Sequence, residues 1–379
     1  MLNKSVLFDN LRNAYSKIST MRFLEKEGRA ILPLRYFLEL THLCNLNCPY
    51  CYVTKDKKER IKKELSFEDW KNVISQIPRY GFITLVGGEP LIRKDFSDIL
   101  FCASKRVFGK VNVVTNGVLM EEKIIDDFIK SKMLLVSVSL DGWGKTHDQN
   151  RGQEGIFSKI QENLEILNKK RKKSFLNHHL LADIKTIVLK DNLEDILKLY
   201  EYSAKMGFEF FSISFLRNNN LKQNSHLEET FEEKFYLPEY KIEKYFDLEK
   251  FKEIYFEIQK IKKSYGLKAP IVRFSPKFEN RNPKKEFELI RRFFEEYQDL
   301  HPREIYKPCL YPYSNTIINP KGDIYPCLSV KMGNVKEQSI KEILNNPIYK
   351  CFRKNLKYSK AFSSCNLCCE LTVKERKNQ

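Results

Sequence analysis

The residues of this 379-residue chain best suited to chemistry are three cysteines near its start, in the segment ELTHLCNLNCPYCYV. Cys44, Cys48 and Cys51 are separated by three and then two residues and follow a β-rich run. Their thiolates give a bound metal three protein ligands and leave one position open. A structural zinc site closes its tetrahedron with a fourth protein ligand, a part that His42 could take. A four-iron cluster on three cysteines instead leaves one iron free for an exogenous ligand. The triad by itself leaves both readings open.

Five more cysteines gather at the other end: Cys309, Cys327, Cys365, Cys368 and Cys369. Cys102 and Cys351 stand alone in helical, amphipathic stretches, where a buried apolar role is expected. The start, MLNKSVLFDNLRNAYSK, lacks the apolar core and cleavage site of a secretion signal and reads as a short amphipathic helix. No run approaches the roughly 18 apolar residues of a membrane span. A cytoplasmic protein without a membrane partner is expected, and clustered cysteines there bind metal or do redox chemistry rather than form disulfides.

The elements that must position these thiols alternate. Strand candidates RYFLEL (35–40), FITLVGG (82–88), VNVVTN (111–116), LLVSVSL (134–140), LADIKTIVL (181–189) and FEFFSISFL (208–216) are separated by amphipathic helical patterns. Such alternation predicts a parallel sheet. Six units fit an α/β fold, a partial (β/α)6 TIM-like barrel; an open doubly wound sheet is the competing topology. The expected organisation is an N-terminal helical extension over 1–33, the barrel over 34–217, and a mostly helical connecting segment over 218–305 punctuated by Pro238, Pro270, Pro276 and Pro283. A small C-terminal α+β cluster-binding domain over 306–379 follows. It begins with a hairpin signal, NTIINPKGDIYPC, whose turn needs a residue such as Gly322 that tolerates positive φ.

The triad is not alone at the strand ends. Gly87-Gly88-Glu89-Pro90 ends the second strand, Asn116 the third, and Ser139 with Asp141 the fourth; HDQNRGQEGIF follows, with Arg151 in it. The glycines suit close approach of backbone to a ligand. Each landmark lies where barrel active sites are assembled. Together with Cys-x3-Cys-x-aromatic-Cys, this order resembles the radical S-adenosylmethionine (SAM) superfamily over about residues 35–215. The resemblance implies a [4Fe–4S] cluster on Cys44, Cys48 and Cys51 with SAM on its open iron. It further implies SAM contacts at Tyr50 (near adenine), Gly87, Gly88, Glu89 (methionine ammonium), Asn116, Ser139, Asp141 and Arg151 (carboxylate).

The C-terminal spacing, with Cys309 and Cys327 flanking the hairpin and Cys365-x2-Cys368 downstream, resembles the SPASM/twitch domain. That resemblance implies an auxiliary [4Fe–4S] cluster on Cys309, Cys327, Cys365 and Cys368. The full pattern continues with more cysteines, whereas this chain has Cys369 and then none. One auxiliary cluster is therefore expected. Zinc on the same four thiolates is the alternative, and the role of Cys369 stays open.

The expected function is an oxidoreductase-type radical SAM enzyme in which a 5′-deoxyadenosyl radical abstracts hydrogen from a substrate. A low-potential donor such as flavodoxin or ferredoxin would supply the electron. The product is expected to be oxidised or cross-linked. Few residues precede the first strand, which tilts the reading toward a small intermediate such as an aminocyclitol, with a ribosomal-peptide maturase using a separate leader-binding partner as the alternative. Leu328 follows Cys327, where the sulfatase-maturing branch has an acid, so that activity is disfavoured. The formal charge of +18 invites an alternative of another class, a non-catalytic metal-stabilised RNA-binding protein. The lysines are spread along most helices, however, and the groups Lys55 to Lys63 and Lys169 to Lys173 lack interleaved aromatics, so a solvated basic surface is expected.

Overall fold

The computed structural model describes residues 28–51, 64–174, 180–216, 245–278, 280, 282–327, 330–362, 365 and 367–375. Most of the N-terminal extension, the first part of the connecting segment, Lys55 to Lys63 and Leu328 lie outside these residues.

Six parallel strands form as expected: β1 Arg35–Glu39, β2 Phe82–Val86, β3 Val111–Thr115, β4 Leu135–Ser139, β5 Leu181–Val188 and β6 Phe210–Phe215. Each is followed by helices, among them α1 Phe67–Gln76, α2 Phe96–Val107, α3 Glu122–Lys130, α4 Lys145–Arg151, α5 Ile156–Lys173 and α6 Leu193–Met206. The strands are rich in branched and aromatic residues, and alternation sends one set outward. Ile83, Leu85, Val136, Ile184 and Ile213 are buried under the helices, as parallel sheets covered by βα crossovers require. The opposite set lines the lumen. Its floor is a small apolar plug of Leu135, Leu181 and Phe210, with Ile271 against it.

The connecting segment is not merely helical. Between α7 Leu248–Tyr265 and α8 Pro283–Glu295 it contributes β7 Ile271–Ser275 and the short β8 Lys277–Phe278. β7 pairs parallel with β6, so the barrel has a seventh parallel strand.

The C-terminal hairpin, β9 Asn315–Ile318 and β10 Asp323–Tyr325, turns at Gly322 with φ +90°, the conformation expected of that turn. β9 pairs parallel with β1, and β11 Gly333–Asn334 flanks β10. The resulting ten-stranded sheet has β11 at one edge and β7 at the other. After the last cysteines, β12 Thr372–Val373 pairs with β8. The C-terminal domain thus grips both sides of the open barrel.

Helix α9, Pro347–Ser359, carries Cys351. That thiol is exposed, contrary to the buried role expected, because the helix turns Phe352, Arg353 and Leu356 inward instead. Cys102 on α2 is partly buried, in contact with the core.

Candidate functional site

β1 delivers the chain to Thr41, and the cysteine loop follows. Its path is fixed by the turn that ends β2: Gly88 N–H donates to Thr41 O (2.7 Å) and Glu89 N–H to Leu43 O (2.8 Å). A Cβ on Gly88 would stand 2.1 Å from Leu43 O, and one on Gly87, whose φ is +141°, 2.4 Å from Thr41 O. These glycines permit close approach to the cysteine loop's own backbone. On the far side of the loop, Gly152 at the end of α4 passes Asn47 O at a distance that leaves a Cβ only 2.9 Å. Gly88→Ala is therefore expected to push the loop outward at a cost of about 1–3 kcal/mol. Thermal melts and iron content per chain after reconstitution check this, both being lower than for the unmodified protein.

Glu89 is fully enclosed. Its Oε1 accepts from Thr115 Oγ1 (2.7 Å) and Leu91 N–H (3.1 Å), and its Oε2 from Asn116 N–H (2.7 Å). Burial pushes its pKa up to about 7, against the pull of these donors. One lone pair on Oε2 is left over. The Asn116 side chain reaches the loop, with Nδ2 2.9 Å from Asn45 Oδ1 and 3.9 Å from Cys44 Sγ.

A second group converges from the ends of β4 and β5. Asp141 is completely buried, and its Oδ2 accepts from Tyr50 Oη (2.5 Å) and pairs with Arg151 Nη2 (2.5 Å). Its Oδ1 accepts from Ile187 N–H (2.7 Å). Its own backbone is held as well: Asp141 N–H donates to His147 Nδ1 (3.1 Å), while the Asn150 and Asn192 amides donate to Asp141 O (2.9 and 3.2 Å). Arg151 Nη1 lies 3.9 Å from Cys48 Sγ. Burial opposes the Arg151 charge most, but Asp141, Tyr50 and Cys48 together outweigh it and its pKa rises. Ser139 closes β4, partly exposed, with Lys185 of β5 as its register partner. A cavity of about 650 Å³ opens beside Tyr50, with Asn150, Leu189, Asp191, Leu216 and Tyr245 in its wall.

His147, Asn150 and Asn192 carry no mark of type or spacing that sets them apart in the sequence, although the first two lie in the HDQNR run. Burial, then Arg151, holds the His147 pKa down at about 3. The unfolded chain, with an ordinary histidine near 6.5, binds this proton more readily. Stability from neutral His147 is therefore present above pH ~6.5 and is lost as pH falls toward the folded value. Urea titrations at stepped pH are expected to show the unmodified protein losing more stability between these limits than His147→Gln.

The three N-terminal thiols lie within electrostatic reach of one another, and burial, above all, lifts Cys44 to about 11. Arg151 beside Cys48 and Asn116 beside Cys44 bring a positive charge and hydrogen-bond donors to the sulfurs, which suits an anionic iron–sulfur cluster. His42, the candidate fourth zinc ligand, turns its Nε2 to Glu39 Oε2 at 3.6 Å. Among the described residues no three His, Cys, Asp or Glu side chains gather around a single-ion site.

At the other end, Cys309 is buried, and burial followed by the charges of Cys365, Cys368 and Cys327 drives its pKa well up. These four thiols therefore share one region. The Cys365–Cys368 turn is shaped by Leu367 at φ 54° and tied down by Leu367 N–H to Tyr306 Oη (3.0 Å). Cys369 is exposed.

Comparison with known families decides the matter. The radical SAM superfamily matches residues 38–203, and the SPASM iron–sulfur cluster-binding domain matches 309–369. This chain carries a radical SAM domain followed by a C-terminal SPASM domain. The radical SAM domain brings SAM and a [4Fe–4S] cluster, and the SPASM domain brings auxiliary iron–sulfur. The chain is 31% identical over 182 residues to the sporulation killing factor maturation protein SkfB of Bacillus subtilis, covering 48% of this chain and 42% of that protein. It is 28% identical over 342 residues to the AdoMet-dependent heme synthase of Methanosarcina barkeri, covering 87% and 86%. Among solved structures, Streptococcus suis SuiB bound to S-adenosylmethionine has the same fold, with a TM-score of 0.60 at 18% identity over 91% of this chain and 73% of that one. No helix of the described residues is long and apolar enough to cross a membrane.

Proposed function

We propose that this radical SAM enzyme uses a 5′-deoxyadenosyl radical to take a hydrogen atom from its substrate, giving an oxidised or cross-linked product. The observation that carries the reading is one of convergence. The cysteine loop, the Gly87–Glu89 turn, Asn116 and the Arg151–Asp141–Tyr50 group meet at one end of the barrel. A [4Fe–4S] cluster on Cys44, Cys48 and Cys51 would supply the open iron for SAM and the electron that breaks its sulfonium bond to the 5′ carbon.

The chain's own residues orient the cosubstrate. Arg151, held by Asp141, is available to the methionine carboxylate, and the remaining lone pair of Glu89 to the ammonium. Asn116 and the backbone of Gly87 and Gly88 position the loop that carries the cluster. Tyr50 offers its ring to adenine beside the cavity, and Ser139 its hydroxyl to the ribose. Cys309, Cys327, Cys365 and Cys368 would hold one auxiliary [4Fe–4S] cluster as electron acceptor, with a flavodoxin or ferredoxin as the donor to the first.

The substrate is either a ribosomal peptide, presented by a separate leader-binding partner, or a small biosynthetic intermediate. The name of SkfB supports the peptide. The match along most of its length to a protein named for haem synthesis supports the small intermediate. Deuterium transfer from labelled candidates of each class into 5′-deoxyadenosine separates them. Anaerobic reconstitution is expected to give absorbance near ~400 nm and about eight irons per chain. Cys365→Ala is expected to hold about four and to lose product formation. Iron analysis showing no loss would remove Cys365 from the ligand set.

A further inference from the structure

The barrel lumen contains a cation that the proposed SAM chemistry does not use. Lys185 sits on β5 two residues after Asp183 and two before Ile187, so all three share the lumen face. It is the register partner of Ser139 on one side and Ser212 on the other. The Ile187 N–H that follows it holds Asp141. Lys185 thus stands one strand away from the proposed SAM site.

Its surroundings are charged on every side. Asp183, Arg273 of β7, Arg35 of β1 and Glu370, next to Cys369, all act on it electrostatically. The neighbours are partly spoken for. Asp183 is enclosed, accepting from Ser137 Oγ (3.1 Å) and Ser212 Oγ (3.0 Å) and pairing with Arg273 Nη2 (2.8 Å). Arg35 donates to Thr84 Oγ1 (3.3 Å) and stacks its guanidinium over Phe37 at 4.4 Å. Arg273 Nε is buried and has no hydrogen-bond partner among the described residues. The Lys185 ammonium makes no hydrogen bond or ion pair with the described residues, and burial, above all, lowers its pKa.

A partly buried cation without a partner favours a counter-charge. Here the cations Arg35, Lys185 and Arg273 lie near the carboxylates Asp183 and Glu370. Asp183 already pairs with Arg273, so Lys185 lacks a partner of its own among the described residues, which a carboxylate would supply.

We propose that Lys185 binds a carboxylate of the substrate in the lumen, between the SAM site and the auxiliary-cluster domain. The proposal rests on the barrel lumen being the substrate site of the proposed radical SAM reaction. The carboxylate can belong to a peptide side chain or to a small molecule, and the test separates these sources.

Equilibrium dialysis of the reconstituted holoenzyme with SAM present would use radiolabelled pairs. One pair is a capped Gly-Glu-Gly peptide and its Gln counterpart, and the other is valerate and valeramide. Saturable binding of a carboxylate but not of its amide is expected, and whichever carboxylate binds names the source. Lys185→Met is expected to weaken it at least tenfold, Lys185→Arg to retain it within about threefold, and the exposed-site control Lys105→Met to leave it unchanged. Should Lys185→Met fold poorly in a thermal melt, Lys185→Gln takes its place with the same expectation. Equal binding of acid and amide, no saturable binding of either acid, or undiminished binding by Lys185→Met overturns the proposal. SAM cleavage by the unmodified protein, followed in parallel, reports on the radical chemistry alone, so the two can fail separately.

Discussion

Cys48→Ala is expected to abolish formation of 5′-deoxyadenosine by reduced protein and to lower the iron content from about eight to about four per chain. Cys48 is the buried member of the N-terminal triad, with the Arg151 guanidinium 3.9 Å from its sulfur. Two remaining thiols cannot hold a cluster that needs three and must leave a fourth iron open. The protein should still fold. Cys48 contributes little apolar area to the large core cluster that it shares with Leu38, Leu40 and Leu46, and the loop path is set by the Gly88 and Glu89 backbone bonds. Electron paramagnetic resonance of the reduced variant should therefore retain the auxiliary signal alone. Normal SAM cleavage by this variant would sink the assignment of the triad, whatever its iron content.

How much of the molecule is legible in its sequence depends on how local each feature is. The six first strands are legible because each is a short β-rich run bounded by turn residues and followed by an amphipathic helix. β7 is not, because IVRFS lies between Pro270 and Pro276 and reads as punctuation between helices. Only its pairing with β6 makes it a strand. The inward side of α9 is hidden for a related reason: Arg353 is fully buried on three carbonyls, those of Pro312, Leu344 and Gly28. An arginine in a sequence marks a surface, so the pattern puts the helix face carrying Cys351 on the wrong side. The site shows the same division. The cysteine spacing, Gly87-Gly88-Glu89 and Asp141 stand out as motifs at strand ends. That the glycines face the cysteine loop, or that Asp141 gathers Tyr50, Arg151 and Ile187, depends on contacts between segments far apart along the chain, and no local pattern encodes them.

Asp141→Ala is expected to damage stability and SAM binding together. The carboxylate accepts three hydrogen bonds from groups on the cysteine loop, α4 and β5, and it is the counter-charge of Arg151. Removing one partner of a buried ion pair leaves the other charged and desolvated, at a cost of about 3–5 kcal/mol. For a chain of this size that corresponds to a fall in Tm of roughly 4–6 °C. Asp141→Asn keeps the shape and two of the acceptor positions but loses the charge, so it should fall between the alanine variant and the unmodified protein. A purely structural role predicts that SAM affinity recovers once the variant is assayed well below its Tm. A role in orienting the cosubstrate predicts otherwise. Without Asp141 the Arg151 fork and the Tyr50 ring lose their common anchor, and SAM should bind at least about tenfold more weakly even at low temperature, the equivalent of one charge-assisted hydrogen bond. Equilibrium dialysis of labelled SAM against the reconstituted Asp141→Asn variant decides between them. Unaltered affinity at low temperature would confine Asp141 to the scaffold and leave Arg151 without its assigned part.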